Sequence, residues 1–200
     1  MIRANRKYAL LLGVCILLTA ATWWGFGHSG RAEPIPSSGG VELDIPAAPD
    51  GAYFLQGDPR WASDQIGGSG ESLAAVGCTI CSVATAASDL GYAIDPKELN
   101  ARLVRNGGYT DRGWLIWGKV ADATEGAIYV EVCGSPSCEG IDACLQAGGV
   151  PVVKFFLPSG ISHWVAIVGK SGREYLVKDP LSDGKSLKRL SADTKTIASV

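Results

Sequence analysis

The run AVGCTICSVATAASDLG, residues 75–91, decides how this chain folds. Small and apolar residues recur at helical spacing from Thr79 to Leu90, and Gly91 supplies a stop. Gly77 and Cys78 stand immediately before that helix, and Cys81 falls in its first turn. A helix N-terminus carries N–H groups without intrahelical acceptors and the positive end of the helix dipole, both of which favour a thiolate. The two cysteines therefore read as a metal or disulfide pair, as core, or as a nucleophile with a neighbour. The rest of the chain decides among these.

Downstream the pattern continues in helices. IDPKELNARLVRNGG (94–108) places Asp95 as N-cap, Pro96 in the first turn, Glu98 as the capping-box partner and Gly107–Gly108 as the end. GWLIWGKVADATEG (113–126) reads as a third helix with Trp114, Trp117 and Val120 or Ala121 inward, and CEGIDACLQAGG (138–149) as a short fourth. The character then changes. VPVVKFFL (150–157), SHWVAIVG (162–169) and REYLVKDP (173–180) are β-rich runs separated by the turn signals PSG and KSG. Helices first and hairpin-linked strands afterwards imply an α+β domain with an antiparallel sheet.

Upstream, Arg3, Arg6 and Lys7 precede an apolar run from Tyr8 to Phe26 that closes on Trp23 and Trp24. That length is about the 20 residues a helix needs to cross a bilayer, and the basic flank favours the cytoplasmic side. Residues 1–28 are thus expected to be a single-pass signal anchor, with membrane contact through residues 8–26. Cleavage after Ala32, giving a secreted protein, is the alternative. A lipoprotein reading of Cys15 is disfavoured, since Val14 precedes it. Residues 29–50 are rich in Pro, Gly, Ser and Ala and read as a linker, leaving 51–200 as the folded domain. With 18 basic and 20 acidic residues and a net charge of −2, the chain has no electrostatic footprint for nucleic acid.

Export implies an oxidising compartment, in which cysteines pair. Five lie beyond the apolar run: Cys78, Cys81, Cys133, Cys138 and Cys144. Structural zinc is disfavoured, because a closed site takes four Cys or His and the chain's histidines are His28 and His163. His163, at the start of SHWVAIVG, is the one histidine in the domain able to serve Cys78 as a base. Asp179, in VKDP on the next strand, is placed to orient it. Cys, His and Asp then make a nucleophile, a general base and its orienter. A core histidine and an Asp-Pro turn are the plainer readings of the last two.

The landmarks YFLQGDPRWA (53–62), GCTICSVATAASDLG (77–91), GWLIWGKVAD (113–122), GISHWVAIVG (160–169) and YLVKDP (175–180) together resemble the C-39-like papain-fold cysteine peptidases, relatives of the bacteriocin-leader peptidases. The likeness spans Tyr53 to Pro180. Thr79–Ile80 follow the cysteine where the family often has Gly-Pro, and Cys81 stands where Thr or Ser is commoner. The resemblance implies a papain-like fold with Cys78 as nucleophile, His163 as base and acid, and Asp179 as its orienter. It also implies Gln56 as a donor to the oxyanion hole beside the Cys78 N–H, with no metal or organic cofactor. The expected activity is hydrolysis of peptide bonds on the external face of the membrane, with a peptide or protein as substrate. A catalytically silent module binding a peptide or a neighbouring membrane or cell-envelope protein, and a cell-wall amidase or endopeptidase, are the alternatives. A nucleophile must stay reduced. Cys133 is therefore expected to pair with Cys138, and Cys81 with Cys144. The rival is a redox lock between Cys78 and another cysteine.

Overall fold

A computed structural model describes residues 1–4 and 32–200. In chain order the elements are β1 (Ile2–Ala4), β2 (Ile35–Pro36), β3 (Ser38–Ile45), α1 (Leu73–Val76), α2 (Cys78–Asp89), α3 (Pro96–Arg105), α4 (Lys119–Ala123), β4 (Ile128–Val130), α5 (Cys138–Gln146), β5 (Val152–Phe156), β6 (Ser162–Lys178), β7 (Lys188–Arg189), α6 (Leu190–Asp193) and β8 (Thr196–Ile197). The fold is α+β, with every strand pair antiparallel.

The main sheet runs β3-β6-β5, with β7 added alongside β6. Extended over its 17 residues, β6 would reach about 50 Å. Yet His163 near its start and Asp179 just past its end are 2.7 Å apart. The strand therefore doubles back through the KSG segment, where Gly172 takes φ +59° and donates its N–H to Asp44. Both faces of this ribbon are covered, so its apolar residues sort by alternation. Ala166 and Val168 join Val152 in one core with Ile80, Val83 and Leu99 of the helices. Val165 and Ile167 join Val153 and Phe155 in a second, with Ile141 and Leu145 of α5.

The helices begin where the caps place them. Asp95 accepts the N–H of Glu98 at 2.8 Å and Pro96 occupies the first turn of α3. Glu98 does not complete the box; its carboxylate instead pairs with Arg102 one turn on, at 2.7 Å. The third expected helix shrinks to Lys119–Ala123. Residues ahead of it form an irregular loop in which Tyr109 bridges Leu115, and Trp114 lies 64% exposed rather than inward.

Three expectations about the chain's organisation are corrected. First, residues 38–45, inside the stretch read as a linker, form β3 and pair with β6. A buried ammonium holds this strand down. Lys170 Nζ donates to the carbonyls of Gly39 and Val41 at 2.9 and 2.7 Å and to Asp142 Oδ1 at 2.6 Å. Asp142 Oδ2 in turn accepts the Val41 N–H. Gly40 makes this approach possible: at φ +68°, a Cβ there would sit 2.0 Å from the Asp142 carboxylate.

Second, the expected single-pass membrane topology, with the domain external, does not agree with the structure. Among the described residues no helix is long and apolar enough to cross a membrane. The apolar run 8–26, with Cys15 and His28, lies outside the described residues. The basic flank does not stand apart from the domain: Arg3 is register-paired with Tyr129, and Ile2 is fully buried between β4 and Val150. Third, no disulfide forms among the described residues. Cys133, Cys138 and Cys81 are thiols, so neither the Cys133–Cys138 nor the Cys81–Cys144 bridge is present, and Cys78 is also reduced.

Candidate active site

The α1–α2 junction sets the position of Cys78. Gly77 caps α2, and its tight turn leaves no room for a side chain, since a Cβ there would lie 2.3 Å from the Leu73 carbonyl oxygen. Cys78 is the first residue of α2, so its N–H belongs to the first-turn set that a helix leaves without acceptors of its own. One turn on, on the same face, Ser82 donates its hydroxyl to the carbonyl of Trp164 at 3.0 Å. This bond fixes the helix against β6 at the residue next to His163. Further along, Thr85 and Ser88 accept the N–H groups of Phe54 and Ala52, and Asp89 pairs with Lys178 at 2.6 Å. A polar seam on α2 thus ties the nucleophile's helix both to the 51–56 segment and to β6.

His163 is 2% exposed. Its ring stands edge-on to Phe155, with centroids 5.4 Å apart, and its Nε2 meets Asp179 Oδ1 at 2.7 Å. The other ring nitrogen, Nδ1, is left for Cys78, which lines the same cleft and lies near enough to act on the imidazole. Burial alone would pull the imidazole down. The bonds to Asp179 and Cys78, with the charges of both, more than reverse this and raise it to about 9.

Asp179 is itself fully engaged. Its Oδ1 also accepts the Leu181 N–H at 2.9 Å, its Oδ2 faces Lys188 Nζ at 3.3 Å, and its own N–H donates to the Tyr53 hydroxyl. Burial pushes the carboxyl up, but the His163 bond, the Leu181 N–H and the nearby cations outweigh it and hold it below its ordinary value. Gln56 reaches the same place by a different route. Its N–H donates to the Pro180 carbonyl at 3.1 Å, beside Asp179, and its Nε2 donates to the Ala74 carbonyl at 2.8 Å. The second Nε2 hydrogen is a further donor. Its Oε1 is buried with no hydrogen-bond partner.

Gln56, Cys78 and His163 line one cleft of about 610 Å³. Asp179 lies behind His163. The four residues singled out in the sequence are therefore brought together. Cys81 is not part of this group: it is fully buried, and burial together with the nearby Cys78 pushes its thiol far above the ordinary value, which makes it core. The cleft walls are largely apolar and include Tyr109, Trp114, Phe156 and Ile161. Sequence reasoning missed Tyr53, Ser82 and Lys188. None carries a motif signal: Tyr53 and Ser82 act on partners 126 and 82 residues away, and Lys188 reaches Asp179 nine residues back only through the pairing of β7 with β6. No family model, no curated protein and no solved structure matches the chain.

Proposed function

We propose that this protein is a cysteine peptidase of papain-like architecture that hydrolyses amide bonds with Cys78, His163, Asp179 and Gln56. The observation that carries this reading is the buried His163–Asp179 pair at a cleft that His163 shares with the helix-start Cys78 and with Gln56. A structural histidine in a core needs one polar partner; here the ring has a carboxylate on one side and a helix-start thiol on the other.

In this reading the proton passes from Cys78 to His163 Nδ1, and Asp179 stabilises the imidazolium through Nε2. The thiolate attacks the substrate carbonyl carbon and a tetrahedral oxyanion forms. The Cys78 N–H and the second Nε2 hydrogen of Gln56 are the donors for it; one such donor is worth roughly 3–4 kcal/mol in a hydrolase. The imidazolium then protonates the leaving amine and the C–N bond breaks, leaving a thioester. Water, deprotonated by His163, releases the acid and restores the thiol. A cleft of about 610 Å³ accommodates several residues of an extended peptide.

The test is hydrolysis of a mixed peptide library by the full chain. Cys78→Ala should abolish cleavage while circular dichroism stays unchanged, and Cys81→Ala should retain it. Cleavage that persists in Cys78→Ala would overturn the reading.

A further inference from the structure

Lys188 lies outside the cleft, on β7, where register with Val177 fixes its backbone two residues from Asp179. Its ammonium is held from two sides, by Asp193 of α6 at 2.7 Å and by Asp179 Oδ2 at 3.3 Å. Asp179 has its two oxygens divided by this arrangement: Oδ1 serves His163 and Leu181, while Oδ2 is turned to Lys188. We propose that Lys188 is a positioning residue for the Cys78–His163–Asp179 set, clamped by Asp193, which fixes the carboxylate rotamer and keeps it ionised behind the imidazole. This inference rests on the peptidase reading of the site.

The geometry supports a directing role over simple surface pairing. Rotation about the Cβ–Cγ bond moves both carboxylate oxygens, so Lys188 adds a hold at Oδ2 to those of His163 and Leu181 at Oδ1. The groups that face Asp179 come from every neighbouring element: His163 from the start of β6, Tyr53 from the 51–56 segment, Lys188 from β7 and, through Lys188, Asp193 from α6. Cys78 faces it through His163. Lys178, the residue before it, turns the other way to Asp89. Lys188 is thus the cation in contact with the second oxygen, and its loss leaves the carboxylate easier to protonate. With Asp179 neutral the imidazolium loses its partner, and the thiolate beside it is lost with it.

Alkylation of Cys78 by iodoacetamide, followed against pH by mass spectrometry on the full chain, needs no substrate and so reads the set directly. Lys188→Met should move the acid limb of the alkylation profile up by about half a pH unit, the size expected of a partly exposed charge pair. Lys188→Gln should do the same, and Lys188→Arg should restore the wild-type limb. Lys188 is about one-third exposed, so these variants should fold, and thermal midpoints check that they do. A purely structural Lys188 would lower the midpoint and leave the limb in place. A limb that does not move in Lys188→Met, or an Arg variant no better than Met, overturns this inference alone. A wild-type Cys78 no more reactive than an ordinary thiol would overturn the peptidase reading and this inference together.

Discussion

Stability should fall as pH rises through the range in which His163 loses its proton. In the folded chain the imidazole is raised from 6.5 to about 9 by Asp179 and Cys78, against the pull of burial. Where that proton is not supplied by the Cys78 thiol, as on a Cys78→Ala background, the folded state binds a proton over this range that the unfolded state has released, and stability decreases with pH. The contribution is fully present below about 6.5 and is lost as pH passes through about 9. A rise of about two and a half pH units, at 1.36 kcal/mol for each, corresponds to about 3 kcal/mol at most. The assay is urea unfolding at intervals from about pH 5.5 to 9.5, with midpoints compared at constant slope. Unfolding is followed on Cys78→Ala, where no thiol proton can pass to the ring, and adding His163→Gln to that background removes the titrating group, so the difference isolates the imidazole. Asp179→Asn, which removes the acceptor at Nε2, should narrow the window by lowering its upper edge. A difference curve that is flat, or that rises with pH, would refute the assignment of an imidazole held protonated by the Asp179 carboxylate.

Three further outcomes follow from the geometry. In the native chain iodoacetamide should label Cys78 and spare Cys81, whose thiol reacts only after denaturation; peptide mass spectrometry distinguishes them. Lys170→Met should cost about 3–5 kcal/mol in urea unfolding, because it strands the Asp142 carboxylate in the interior. Gly77→Ala should cost on the order of 1–3 kcal/mol, as its Cβ meets the Leu73 carbonyl, and should slow Cys78 labelling by displacing the nucleophile's turn.

Local signals were legible where local physics sets the structure. The α2 and α3 helices follow from spacing, from the Asp95 cap and from the glycines that end them, and the three β-rich runs are where composition put them. The KSG signal did mark a reversal, although hydrogen bonding continues through it. The site was legible because chemistry narrowed it: one histidine within residues 51–200, one helix-start cysteine, and an aspartate on the returning strand. What could not be read was whatever depends on partners far along the chain. The 38–45 segment looks unstructured because two glycines and flanking prolines conceal its strand character; an ammonium more than a hundred residues away makes it a strand. Trp114 looks inward by periodicity, but the loop before α4 abandons the helical period. Cys133 and Cys138 suggested a bridge by spacing and by an export argument, neither of which fixes where two side chains point.

The placement of β3 at the sheet's margin bears on where the chain can be cut. A fragment beginning at Gly51 would strip β6 of the neighbour that covers its Lys170–Glu174 stretch. It would also take away the two carbonyls that receive the Lys170 ammonium. Naked strand margins recruit strands from other molecules. Such a fragment would therefore be expected to self-associate more readily than one beginning ahead of Ile35, which keeps β3 and the pairing of β2 with β8 and, like it, lacks β1.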